Sequence, residues 1–414
     1  MSGPGAAAGV DLVAAVRGGR LLVSDGASGP VLPRVEDSDG WLETPKVVAT
    51  AGVASATVLA PATRLGGEPT TTVHLLGLPL AGPDPSIADA SWLDVDDLDR
   101  LAHPPAVAAA IRTGLVEYAR DVPWPPGRPA WYRPSWPAEL DGWVDEQLPR
   151  LGLTRTGGTV AVKVWSLSAV VRIPVVSGTG ATSVYVKATC EHFRAEPAVT
   201  RLLASLAPEV VPDVLAIDET RGWILMRPFT DGDGDDAERP ETAPVAAFEQ
   251  LVSGGLELAL LNHVERQQAV ALLPWVAREH AALAAVGVPD SLAHGDLHLA
   301  NYVADSAGVR IFDWSDAALA CPVLDALMLA HGGGLEHEQA TFDAYAEVWA
   351  EHLPEVDVAA ALRLAAVPHL VYLAVSFEGI YRDQEQQSRW EMAGICARLL
   401  RRLILRWTEA GSPS

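Results

Sequence analysis

LAHGDLHLANYVADSAGVRIFDWSDA, residues 292–317, sets two histidines, four aspartates and one asparagine around a short apolar hairpin. Tyr302-Val-Ala and Val309-Arg-Ile-Phe312 read as two short strands, with Asp305-Ser-Ala-Gly308 as the turn between them. If Ala304 lies opposite Val309, the register puts Asn301 opposite Phe312 and therefore next to Asp313. An amide oxygen and a carboxylate are then held together at the open end of one hairpin. That donor pair suits a hard cation such as Mg²⁺, with phosphate oxygens completing its shell. Asp296, on the loop leading in, is left to accept a hydroxyl proton or to orient a nucleophile. His294 and His298 are four apart, a zinc spacing if they lay on a helix. Gly295 and the strand that follows argue against a helix there, and the sequence offers no third ligand.

The rest of the chain narrows what such a site can serve. It has 414 residues, 49% of them hydrophobic and 20% charged, which predicts a sizeable core and more than one domain. Thirty Lys and Arg against 53 Asp and Glu give a net charge of −23. That balance disfavours nucleic acid as a partner, because binding a phosphate backbone takes clustered Lys and Arg. It disfavours an anionic membrane surface for the same reason. Cys190, Cys321 and Cys396 are sparse and unpaired in spacing, which fits a reducing compartment. The N-terminus makes a poor signal peptide, and the apolar run at 47–62 is broken by Gly52 and Pro61. A cytoplasmic protein is expected.

Along the chain, DVPWPPGRPAWYRPSWPAEL at 121–140 carries six prolines in twenty residues and reads as a connector. Its aromatics Trp124, Trp131, Tyr132 and Trp136 suggest that it packs onto a domain rather than hanging free. Residues 1–120 read as mixed α/β, with strand-like runs at 20–23, 47–49, 56–59 and 72–76 and a helix at about 104–120. After the connector, AVKVW (161–165), AVVRIPVV (169–176) and SVYVKAT (183–189) alternate as strands. A helical pattern follows at 191–206, then the strands VPDVLAID and GWILMRPF. The sequence is helical from 242 to 286 and again beyond Asp325, with the hairpin at 300–313 between them. DGDGDDAE at 231–238 begins like a calcium loop but has Asp236 and Thr242 where an EF-hand needs Gly and Glu. HGGGLEHEQ at 331–339 is a loop between helices and is assigned no chemistry.

HGDLHLAN followed by IFDW resembles the catalytic loop and metal-binding segment of the aminoglycoside phosphotransferase and choline kinase family, which has the protein-kinase fold. The His-x-Asp-x4-Asn pattern, a hairpin, then an apolar pair before Asp is matched at His294, Asp296, Asn301 and Asp313. The resemblance runs over about residues 130–414 and is to actinobacterial members with an extra N-terminal region. The first 120 residues, with GRLLV, VLPRVE and WLDVDDL in that order, resemble a Nudix domain lacking the glutamate-rich Nudix box, and hence a non-catalytic accessory domain.

The resemblance implies an α+β class: a bilobal kinase-like fold, with a small antiparallel-sheet N-lobe (141–229) and a largely helical C-lobe (230–414), preceded by the Nudix-like domain (1–120) and the connector (121–140). It implies an ATP- and Mg²⁺-dependent enzyme that phosphorylates a hydroxyl of a small molecule. Asp296 becomes the catalytic carboxylate, and Asn301 and Asp313 the metal ligands. Lys187 is implied as the cation on the ATP phosphates, with Glu196 holding it and Glu191 as the runner-up. Ser166 and Ser168 are implied in the phosphate-covering turn, in place of glycines, and Met226 to Pro228 at the adenine hinge. His294 and Asp325 are implied as structural supports, Asp325 capping the helix it begins. Glu378, Tyr381 and Trp390 could touch an acceptor, but helix-surface and core roles are preferred for them. The rival expectation is a nucleotide-binding pseudokinase or scaffold without turnover. Oligomeric state is not indicated.

Overall fold

The computed structural model describes residues 9–35, 44–67, 69–80, 83–87, 89–119, 124–178, 180–228, 244–305, 308–330 and 335–411. These fall into two compact units. The first gathers residues 1–190, 214–228 and 385–390, and the second 191–213, 229–384 and 391–414.

The first unit contains two sheets. Strands β1 (Val10–Arg17), β2 (Arg20–Gly26), β3 (Gly29–Val31), β4 (Thr57–Val58), β5 (Thr63–Leu65), β6 (Thr71–Gly77) and β7 (Ala90–Asp94) form a seven-stranded mixed sheet. β1 and β6 run parallel at its centre. In β1, Leu12 and Ala14 face one core and Val13 and Ala15 the other. Helices cover both faces: α1 (Thr44–Thr50) contributes Val47 and Val48 to one core, and α2 (Pro105–Ala119) contributes Val107, Ala108 and Ile111 to the other. This explains why β1 gives little strand signal. A strand buried on both sides reads as an apolar run without alternation.

The strand expected at 47–49 is instead part of α1. Two consecutive valines favour a strand by propensity. Here Val47, Val48 and Ala51 are all buried against the sheet, a spacing a helix supplies and a strand does not. The strands expected near 20–23, 56–59 and 72–76 and the helix near 104–120 are present. The Nudix resemblance of residues 1–120 is not confirmed.

Trp131, Tyr132 and Trp136 of the proline-rich segment are buried in the core of the second sheet. The segment's last residues are already helical, because α3 (Trp136–Gln147) starts there with a proline in its first turn. Strands β8 (Thr154–Arg155), β9 (Val160–Val164), β10 (Ser168–Ser177), β11 (Gly180–Thr189), β12 (Val214–Asp218) and β13 (Trp223–Met226) make the second, antiparallel sheet. Its period-2 pattern is plain: Ala169, Val171, Ile173 and Val175 of β10 and Val184, Val186 and Ala188 of β11 fill one core. The Val164 N–H donates to Thr44 Oγ1 at 2.8 Å, tying β9 to α1.

The second unit is mostly helical. α4 (Glu196–Leu206) lies between β11 and β12 in sequence but belongs to this unit. The other helices are α5 (Pro244–Gly254), α6 (His263–Ala271), α7 (Leu273–Ala284), α8 (Val323–Ala330), α9 (Leu335–His352), α10 (Val358–Leu364), α11 (Ala366–Asp383) and α12 (Ile395–Glu409). Two short antiparallel pairs interrupt them: β14 (Ser291–Ala293) with β17 (Ala318–Ala320), and β15 (Tyr302–Asp305) with β16 (Gly308–Ile311). α12 buries Cys396, Leu399, Leu400, Leu403 and Ile404 at helical spacing. The buried Glu257 carboxylate accepts the backbone N–H groups of Gly394 and Ala397 at that helix's start. The α+β class expected from the sequence is therefore the class observed, with sheets in the N-terminal part and helices in the C-terminal part. The acidic run 231–238 and residues 331–334 lie outside the described residues. No single helix among the described residues is long and apolar enough to cross a membrane.

Candidate active site

The hairpin adopts the register its sequence predicts. Ala304 pairs with Val309 and Tyr302 with Ile311, and the Phe312 N–H donates to the Asn301 carbonyl at 3.0 Å. Asn301 and the residue just before Asp313 are thus hydrogen-bonded to each other. The Asn301 side chain is fully buried, and its Nδ2 donates to the Asp296 carbonyl at 2.8 Å and, more weakly, to Asp296 Oδ2 at 3.4 Å. Its Oδ1 is buried without a hydrogen-bond partner. A buried amide oxygen left unpaired costs about 1–3 kcal/mol, so a ligand for it is to be expected. Asp313 takes a left-handed backbone, φ 64°, unusual for a residue with a side chain. Its Oδ1 accepts the Ser315 hydroxyl at 2.8 Å. An unpaired amide oxygen and a nearby carboxylate are hard donors, and they fit Mg²⁺.

The residues of the loop leading into the hairpin are held from behind. Gly295 has φ +86°, and a Cβ on it would overlap the Asp316 backbone oxygen and the Tyr372 hydroxyl. Only glycine fits on both counts. The Asp325 carboxylate accepts the His294 N–H at 2.7 Å through Oδ2 and the Gly295 N–H at 2.8 Å through Oδ1. Asp325 is the third residue of α8, so it does not cap that helix as the sequence suggested. Its carboxylate instead turns away to the loop's two orphan donors. Burial pushes the Asp325 carboxyl above the usual carboxylate range, against the pull of the two N–H groups it accepts.

His294 is buried, with its Nε2 at 2.9 Å from the Phe312 carbonyl and its ring against Trp314. The Asp296 N–H donates to His294 Nδ1 at 3.3 Å. The loop, the hairpin and α8 are therefore tied together around Asp296. That carboxylate is itself partly open to solvent, with side-chain exposure of 20%.

The residues expected from the sequence to lie on the nucleotide side are placed as follows. Lys187 lies in β11 opposite Val170 and Ile224, on the face away from the Val186 and Ala188 core, and is buried. Ser166 and Ser168 are buried in the tight connection from β9 to β10, where Trp165 Nε1 donates to Ser168 Oγ at 3.0 Å. Met226 ends β13, and Pro228 is exposed just beyond it. In the second unit, Glu196 opens α4 and is buried, whereas Glu191 is exposed and bonded to Arg194 at 2.6 Å. The structure thus gathers His294, Asp296, Asn301, Asp313 and Asp325 in one unit, while Lys187, Ser166, Ser168, Met226 and Pro228 belong to the other.

Several supporting residues escape sequence reasoning. Ser315 lies two residues from Asp313, and that proximity alone could have flagged it. Tyr372 and Ser376 of α11 reach Asp316 at 3.3 and 3.4 Å. They lie more than fifty residues along the chain, so no local signal marks them. Glu378 is buried, and its Oε1 accepts the Leu256 N–H at 2.6 Å. Trp390 belongs to the first unit, where its Nε1 donates to the Ala62 carbonyl and Arg64 stacks over its ring. A small cavity lined by Thr44, Val58, His74, Tyr132 and Val164 contains none of the expected site residues.

Residues 255–362 match the model of the phosphotransferase enzyme family. No curated protein matches the chain. Among solved structures, the choline kinase LicA from Streptococcus pneumoniae is similar over 66% of this chain and 99% of its own, at 12% identity and a TM-score of 0.41. A thermostable mutant of the aminoglycoside phosphotransferase APH(4)-Ia, in ternary complex with ADP and hygromycin B, matches 67% of this chain and 100% of its own at 14% identity and a TM-score of 0.36. An ethanolamine kinase from Plasmodium vivax matches 70% and 95% at 10% identity and a TM-score of 0.41.

Proposed function

We propose, from the premise that residues 255–362 are a phosphotransferase-family segment, that the chain is an ATP-dependent small-molecule kinase. It would transfer the γ-phosphoryl group to a hydroxyl of an aminoglycoside, aminosugar, sugar or amino alcohol. The observation that carries this reading is the buried, unpartnered Asn301 Oδ1 in a hairpin whose other strand leads into Asp313.

In this reading Asn301 Oδ1 and the Asp313 carboxylate hold Mg²⁺, and Ser315 orients that carboxylate. The bound metal would neutralise charge on the phosphate oxygens. Asp296 accepts the acceptor's hydroxyl proton and aligns its oxygen for in-line attack. Lys187 is assigned to the α- and β-phosphates with Glu196 as its carboxylate, Ser166 and Ser168 to the phosphate-covering turn, and Met226 to Pro228 to the adenine. His294 and Asp325 keep the loop's backbone in place. Catalysis on this scheme is mainly positioning and charge neutralisation.

A coupled ADP-release screen with MgATP and MgGTP, over aminoglycosides, aminosugars, sugars, choline and amino alcohols, tests the reading. Turnover with at least one acceptor is expected. Nucleotide binding with no turnover on any of them would point instead to a scaffold.

A further inference from the structure

We propose that His298 is the positioning residue for Asp296, fixing its carboxylate through Nε2–H; this rests on the phosphotransfer reading for its functional consequence. Two observations carry it. First, the Ala300 N–H donates to His298 Nδ1 at 3.1 Å. A nitrogen that accepts a backbone N–H carries no proton, so the ring's hydrogen lies on Nε2. Second, that same Nε2 lies 3.4 Å from Asp296 Oδ2.

The loop builds the same device twice. The Asp296 N–H donates to His294 Nδ1, as the Ala300 N–H does to His298 Nδ1, each two residues on. Both rings therefore present Nε2–H outward. His294 aims its Nε2 at the Phe312 carbonyl and so at the hairpin, and His298 aims its Nε2 at the carboxylate.

Asn301 Nδ2 approaches Asp296 Oδ2 as well, also at 3.4 Å. Two donors three residues apart thus converge on one carboxylate oxygen. This limits rotation of the carboxylate plane. Catalytic hydrogen bonds of this length commonly tighten in a substrate complex. The turn of backbone between these groups is fixed by the His298 N–H to the Asp296 carbonyl (2.9 Å) and the Asn301 N–H to the His298 carbonyl (2.9 Å). His298 is one-third exposed.

Long-range ¹H–¹⁵N spectra of the full chain with ¹⁵N-labelled histidine test the geometry directly. The His298 resonance, assigned by its loss in His298→Gln, is expected to report the Nε2–H tautomer at neutral pH and to move in Asp296→Asn. A Nδ1–H tautomer, or a resonance unmoved in Asp296→Asn, overturns the proposal whether or not the chain is a kinase. Kinetics with MgATP and kanamycin, glucosamine or choline test the consequence. His298→Ala is expected to lower kcat about 10- to 100-fold, the effect of a misplaced catalytic group, with the KM for ATP within twofold of wild type. His298→Gln, which keeps a side-chain N–H donor, is expected to recover part of that loss. Equal impairment of the Ala and Gln variants, or a loss confined to KM, overturns it. If the wild type consumes no nucleotide with any acceptor, the kinase reading fails by itself and the spectra still decide the His298–Asp296 contact.

Discussion

Asp296 takes part in several hydrogen bonds of its loop, yet its side chain keeps a fifth of its surface open. Replacing it with Asn preserves size and most contacts while removing the proton acceptor. Asp296→Asn is therefore expected to cut turnover by about 10²- to 10⁴-fold, the usual worth of a general base. Binding of a fluorescent ATP analogue with Mg²⁺ is expected to stay within about threefold, because Asn301 and Asp313, the proposed metal ligands, are untouched. A variant that retains most of its turnover removes Asp296 from the role. At the same scale, Gly295 was visible in the sequence only as a helix breaker. Its second reason for being glycine, the Asp316 backbone and Tyr372 hydroxyl pressed against it, comes from residues far along the chain.

The hairpin of β15 and β16 is an element that cannot hold its own position, since a two-stranded ribbon of four-residue strands has little to bury. It is anchored by α4 and the chain after it. The Ile311 N–H donates to the Val210 carbonyl at 2.6 Å, and Leu203 and Val211 pack with Trp314 and Ala317 in one small core. Leu203→Ala removes the largest aliphatic side chain from that core. It is expected to destabilise the second unit by about 2–4 kcal/mol, read as a lower denaturant midpoint. Because the same core flanks Asp313, the variant is also expected to weaken Mg²⁺-dependent nucleotide binding. Unchanged stability would show that α4 does not anchor the hairpin.

Across the whole molecule, long-range ionic contacts fix segments that the sequence separates widely. In the first unit the buried Arg128 donates to Glu385 from Nε at 2.8 and 2.9 Å and pairs with Glu117 at 2.8 Å. Gln387 Nε2 adds a 2.8 Å bond to Thr63 Oγ1. Arg128→Ala strands two carboxylates, one of them buried, and is expected to cost about 3–5 kcal/mol. Adding Glu385→Gln to it is expected to return part of that loss, as seen in melting temperature. If the single variant is neutral, segment 385–390 is held by other contacts.

Acid should loosen the molecule through histidines. Burial holds His103 and His280 below the ordinary imidazole value of 6.5. His103 Nε2 also accepts the Leu32 N–H at 3.0 Å, a bond that protonation breaks. The unfolded chain takes up these protons first, so their stabilisation is full above pH 6.5 and declines as pH falls below it. Melting temperature is expected to drop between pH 7.5 and 5.5, and His103→Gln with His280→Gln to flatten that slope.

What the sequence determined by itself is local. The register of the hairpin, the alternation of β10 and β11 and the helical spacing of the C-terminal part all follow from patterns a few residues long, because side-chain direction repeats every two or 3.6 residues. Asn301 beside Asp313 was legible for that reason, and so was the glycine between His294 and Asp296. Tertiary structure decided the rest. It made α1 from a valine-rich stretch, hid β1 between two cores and assigned α4 to the second unit. It also turned Asp325 from a helix cap into the acceptor for the loop's N–H groups, and brought Tyr372 and Ser376 to Asp316. Each of those outcomes depends on which surface a neighbouring element buries, and no local period encodes a neighbour thirty or sixty residues away.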